Sequence, residues 1–297
     1  MNIRESILQQ MPGISQPQKK FLITLFSTIL LAYGKLNFTN LSRYSYLSEK
    51  TYRRHFLKSF NFPQFNQYFL ELALNPEHTV IAVIDCSFLR KSGQQTDGKA
   101  YFYNGVAGKS EQGLEISVIS LVEIENRLSY SLSVQQTPSR PQIKPVIKLP
   151  QNPKNSWSKK SRKKPESHSS KPDITRVDDY AQHLKNTRCF FPTSVRYLVA
   201  DGYYYRSKFW EAVRELNLDF IGKLRVDANL RYLYTGEQKK LGAPRKYDGK
   251  VDCQALSRLN FVKYIKPGVS LSTLVEGELL FELPNQFGLY LRGSSQW

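Results

Sequence analysis

Cysteine is scarce in this chain. Three residues among 297, Cys86, Cys189 and Cys253, stand too far apart for a disulfide framework or a zinc site. Histidine is also rare, and His55, His78, His168 and His183 show no ligand spacing with one another or with cysteine. Cys86 has no histidine in a recognisable partner pattern, so it reads as a small buried residue rather than a nucleophile. Long apolar runs are missing as well. The longest helix-like one, residues 21–33, is broken by Thr24, Ser27 and Thr28 and falls short of the ~20 apolar residues of a bilayer span. Met1-Asn2-Ile3-Arg4-Glu5 opens no signal peptide. Gly236, Gly242 and Gly249 form no phosphate-cradling loop, so ATP is not implied.

Acid is the other shortage. Asp and Glu number 25 against 43 Lys and Arg, a formal net charge of +18. A chain this basic, with 40% hydrophobic and 13% aromatic residues, has a core to bury and a polyanion to meet. The excess is concentrated. Residues 138–172 carry ten basic residues and one acid, Glu166, which is half of the total charge, together with seven of the fifteen prolines. Such a stretch cannot recover its ordering entropy by burial, so it reads as a flexible insertion that lies along phosphates.

Periodicity divides the rest. Residues 1–75 read as helical. Ser15 and Pro17 start a helix whose stripe is Phe21, Leu22, Leu25, Phe26, Ile29 and Leu30, and Gly34 stops it. A second unit, residues 39–47, is followed by a Ser48 cap and the segment Glu49-Lys50-Thr51-Tyr52-Arg53-Arg54-His55-Phe56. Two short helices around a turn, the second bearing Arg53, Arg54 and Lys58, fit a helix-turn-helix on a DNA groove; plain bundle packing is the alternative. After Asn75-Pro76 the period changes. Residues 79–84 are an unbroken β-branched run, as in a strand buried on both faces, and residues 114–122 and 127–135 are two more strands around Glu125-Asn126. Beyond the insertion follow a helix at 175–189, a strand at 195–200, a helix at 207–216 and a strand at 219–224. The pattern predicts an α/β fold, a mixed sheet with flanking helices, preceded by a small all-helical region.

Two of those strands end in an acid, Asp85 and Asp201. A carboxylate at a strand end stands where loops build a site, and hard cations take oxygen ligands. An Asp closing a strand more often only starts a turn. A pair of them, flanked by Lys91, Lys99, Lys109, Arg206 and Lys208, weakens that simpler account.

The residues around both acids carry a resemblance. Val83-Ile84-Asp85-Cys86-Ser87-Phe88-Leu89-Arg90-Lys91-Ser92-Gly93, then Thr96-Asp97-Gly98, resembles the first-carboxylate motif of bacterial insertion-sequence transposases of the DDE class. Tyr197-Leu198-Val199-Ala200-Asp201-Gly202-Tyr203-Tyr204 resembles their second, and residues 220–251 the stretch that follows. The resemblance implies a ribonuclease H-like core over residues 76–225, with first and fourth strands side by side, so that Asp85 and Asp201 meet. It implies Mg²⁺ or Mn²⁺ held by these two acids, and cleavage and joining of double-stranded DNA at element ends and target. Lys91, Lys223 and Arg225 would hold phosphates, and a homodimer on the DNA is compatible with it. The expected setting is cytoplasmic and nucleoid-associated, with no membrane.

The family's third acid, a Glu in a Tyr-x-x-Arg-x-x-x-Glu context, is not found. Tyr203-x-x-Arg206 begins correctly, but the required position is Trp210 and Glu211 follows one residue late. Glu276, Glu278 and Glu282 lack the surrounding Tyr and Arg. Residues 226–297 are therefore expected to begin an insertion region and end in an aberrant tail, a copy truncated before its third acid. A non-catalytic remnant that occupies element ends is the alternative.

Overall fold

The computed structural model describes residues 3–93, 95–139, 174–223, 231–234, 236–239 and 242–250, and the backbone of four strands between 260 and 291. The N-terminal region is helical: α1 (Ile3–Gln10), α2 (Gln16–Leu31), α3 (Phe38–Arg43), α4 (Glu49–Phe56) and α5 (Phe62–Ala73). Pro17 sits in the first turn of α2, and Ser48 opens α4 by accepting the Thr51 N–H at 3.3 Å. The apolar stripes close on a core of Ile7, Leu8, Phe21, Leu22, Leu25, Leu41, Tyr52 and Phe65. Tyr52 is fully buried, and its hydroxyl is satisfied by Ser45 Oγ at 2.9 Å. Helix α5 serves two cores, because Phe65 belongs to the helical one while Leu70 joins that of the sheet. The side chain of Asn66 donates to the Leu132 carbonyl at 3.0 Å and fastens the two together.

The sheet begins with β1 (Val80–Arg90), β2 (Ala100–Asn104), β3 (Lys109–Glu123) and β4 (Leu128–Gln136), and continues in β5 (Tyr197–Ala200) and β6 (Asp219–Lys223). Strand β3 lies antiparallel between β1 and β4, whereas β1, β5 and β6 run parallel. With β2 set aside as an extra strand on the end of β3, the first strand lies beside the fourth, as a ribonuclease H-like core requires. Helices α6 (Arg176–Thr187) and α7 (Ser207–Glu215) cover one face. Tyr180, Leu184, Phe209 and Val213 pack there on Val80, Ala82, Ile84, Ile119, Leu121, Leu198, Ala200 and Phe220. Each fully buried Leu, Ile, Val or Phe side chain among them stabilises by roughly 1.5–3 kcal/mol. Lys185 to Glu215 at 2.6 Å and Lys208 to Asp178 at 3.4 Å tie the two helices together.

Three features differ from the sequence expectation. Strand β1 does not stop at Ile84 but runs six residues further, to Arg90, because β3 offers it partners as far as Gly113. Gly113 is needed there: a Cβ would meet the Leu89 carbonyl oxygen at 2.4 Å and the Phe88 ring. Past β6, β7 (Arg231–Leu233) and β8 (Tyr247–Lys250) form a hairpin of their own. Further on, β9 (Asn260–Lys266), β10 (Val269–Val275), β11 (Glu278–Leu283) and β12 (Gln286–Leu291) form an antiparallel meander that extends the sheet where β12 pairs with β6. The segment expected to be an aberrant tail thus carries strands. Of the basic insertion at 138–172, all but Pro138 and Ser139 lies outside the described residues, and so does Arg225.

Candidate functional site

Parallel pairing decides the geometry of the two acids. The last registered pair between β1 and β5 is Ile84 opposite Ala200. Asp85 and Asp201 each follow by one position, so both stand in the next row of the sheet. Because side chains alternate, that row lies on the face opposite the one α6 and α7 cover. Both acids reach solvent. Asp85 stays within β1, but its β5 side is free, since β5 has ended and the chain turns into a short 3₁₀ segment, Gly202–Tyr204. Asp201 caps that segment, its Oδ1 accepting the Tyr203 N–H at 2.9 Å. The Asp85 Oδ1 accepts the N–H of Cys86 at 2.8 Å.

Electrostatics couples the pair. Loss of water around the Asp85 carboxyl pushes its pKa above the usual carboxylate range; the Cys86 N–H partly offsets this, and the Asp201 charge raises it further. Two carboxylates that repel each other on an exposed strand end are relieved by a cation, and their oxygens suit a hard divalent one. Among the described residues no third His, Cys, Asp or Glu joins them to make a group of three.

The β6 register adds one position. Ala200 lies opposite Gly222, so Lys223, the last residue of β6, falls in the same row as Asp85 and Asp201. Of Lys223 the strand position alone is described. Lys91 is exposed one residue past β1. Arg53, Arg54 and Lys58 lie on or just after α4, all exposed. Arg53 is held by Glu49 one turn earlier and lies over the Phe38 ring at 5.2 Å, so it packs α4 against α3. Lys50 and Arg54, one turn apart on α4, face outward together, and Lys58 is exposed just past the helix.

Behind the acids, on the covered face, is a network that pattern reading missed. Glu115 is buried on β3 and accepts the Tyr180 hydroxyl at 2.5 Å and Arg176 Nη1 at 3.4 Å. Arg176 also lies over the Phe102 ring at 4.8 Å and donates to the Tyr101 carbonyl at 3.3 Å. Tyr180 packs on Tyr203 and Tyr204, the residues that follow Asp201. Strand alternation held the signal: Glu115 shares its parity with the buried Ile119 and Leu121. Cys86, half-buried beside this network, has its thiol pKa pushed up by burial, as suits a packing residue.

A family model, the DDE superfamily endonuclease, matches residues 68–260, more than half of the chain and a span that includes both acids. The chain belongs to that family. No curated protein matches it in sequence. Endonuclease V from Bacillus subtilis is similar at 10% identity and a TM-score of 0.32, over 81% of this chain and 77% of its own. The piggyBac transposase, solved as a synaptic complex with hairpin DNA, is similar at 10% identity and a TM-score of 0.38. That match covers 99% of this chain, which spans 57% of the transposase's length. Among the described residues no helix is long and apolar enough to cross a membrane.

Proposed function

We propose that this member of the DDE superfamily endonucleases is a DNA transposase that cuts and joins strands at the ends of an insertion sequence. The observation that carries the reading is the register that seats Asp85 and Asp201 in one row of adjacent parallel strands. These two carboxylates would hold Mg²⁺ or Mn²⁺ through hard oxygen donors. A divalent ion bound there supplies an activated nucleophile at neutral pH and charge neutralisation at the phosphate. The chain's own residues bind and orient the DNA. Lys223 would take a phosphate beside the acids and Lys91 one further along, past the end of β1, with Arg225 proposed as a further phosphate ligand. Arg54 and Lys58, with Lys50, would set α4 on a groove while Arg53 braces the helix. A second copy on the same DNA is compatible with this arrangement.

The test is calorimetric titration of Mn²⁺ into wild type and into Asp85→Ala/Asp201→Ala, with cleavage of end-containing duplex assayed in parallel. Uptake and cleavage lost in the double variant, with duplex binding kept, is the expected result. Uptake unchanged in the double variant would overturn the site. A second reading is that the chain occupies element ends without cutting them. It is favoured by the lack of a third carboxylate beside the pair among the described residues. Specific duplex binding with no metal-dependent cleavage would select it.

A further inference from the structure

We infer that the β7–β8 hairpin is a second DNA contact, a sequence-independent cradle for the sugar-phosphate backbone; this rests on the DNA reading above. The hairpin follows β6, which ends at Lys223 in the row of the two acids. Tyr232 packs it onto the core of the sheet.

The hairpin is braced from within. Arg231 pairs with Lys250 and Leu233 with Tyr247, with a one-residue shift of register between the two pairs. Gln238 closes the loop in both directions, donating to the Arg245 carbonyl and accepting the Arg245 N–H, each at 2.8 Å. Arg245 lies over the Tyr234 ring at 4.5 Å and is neutralised by Asp248 at 2.8 Å. With its arginine and aspartate used on each other, the hairpin presents Lys239 and Lys246 in its loop and Lys250 at its base. Their side chains are exposed and make no hydrogen bond or ion pair with the described residues; Glu237 is the acid that stands among them. Three free ammonium groups on a braced hairpin suit phosphate oxygens, and being compact point charges they carry no code for base edges. A contact of this kind shows itself in the salt dependence of binding, because each neutralised phosphate releases counterions.

The experiment measures duplex affinity from low to moderate salt for the full chain, for K239Q/K246Q/K250Q and for K239R/K246R/K250R, on two unrelated duplex sequences. The Gln variant should lose about 2–3 from the slope of log affinity against log salt, equally on both duplexes, at roughly one per phosphate contact. The Arg variant should keep the wild-type slope. A Gln variant with the wild-type slope would overturn the hairpin contact and leave the DNA reading standing. Wild type that shows no salt-dependent duplex binding would instead remove the DNA reading itself. Both variants should melt with wild type, since the three side chains lose no partner; a Gln variant that does not fold would show that the lysines serve the fold and would also overturn the contact.

Discussion

Asp85 and Asp201 are neighbours across two parallel strands although 116 positions separate them in the chain, and each comes one step after the pair Ile84–Ala200. The raised pKa of Asp85 follows from its surroundings and from that proximity. Asp201→Asn should therefore lower the Asp85 pKa, read from the carboxyl carbon by NMR titration. The stability sign is fixed by the direction. A folded pKa above the unfolded value means full stability below about pH 3.8 and a loss as pH rises through the folded pKa. Asp85→Asn should then melt higher than wild type at pH 7, and the gap should close near pH 3.

His183 should make the protein acid-sensitive from the other side. It is buried on α6 between Ser117 Oγ at 2.9 Å and Ser133 Oγ at 2.8 Å, and burial pushes its pKa down to about 4. The unfolded chain takes up the proton first, near the ordinary value of 6.5. Stability is thus complete above pH 6.5 and falls as pH drops towards 4, by about 3 kcal/mol in all. Urea unfolding between pH 7 and 4 should show this slope, and His183→Gln should flatten it.

The buried Glu115 gives a stability prediction that also bears on the site. Tyr180→Phe removes the hydroxyl on Glu115 Oε1 and leaves that oxygen desolvated. A loss of about 1–3 kcal/mol is expected in urea unfolding. Glu115→Gln, which keeps the shape without the charge, should recover part of it in the Phe background.

The exposed basic residues on and just after α4 should behave differently. Arg54→Gln and Lys58→Gln should each lower the slope of log duplex affinity against log salt by about one. Arg53→Gln should change that slope less, because its guanidinium is already spent on Glu49 and the Phe38 ring. Equal losses in all three variants would mean that Arg53 leaves its intramolecular partners on binding.

Much of this is legible in the sequence, because local chemistry encodes it. The β-branched run before Asp85 and the run before Asp201 form strands, Ser48 caps α4, and the stripe of Phe21, Leu22 and Leu25 packs the helical core. Motif resemblance named both acids, and the family match spans them. The placement of the partners was decided by tertiary structure. Where β1 ends depends on how far β3 can pair with it, which no window around Asp85 contains. Whether a surface arginine is free depends on a neighbour on another helix, as Arg53 and Phe38 show. The late strands β9 to β12 lack any helical stripe, and they form because β6 offers an edge to pair with. Local sequence thus determined most of the strands and helices up to β6 and the two strand-end acids proposed as the site. Pairing across the chain decided which row those acids share and what lies beside them, because sheet register is a property of two strands and belongs to neither alone.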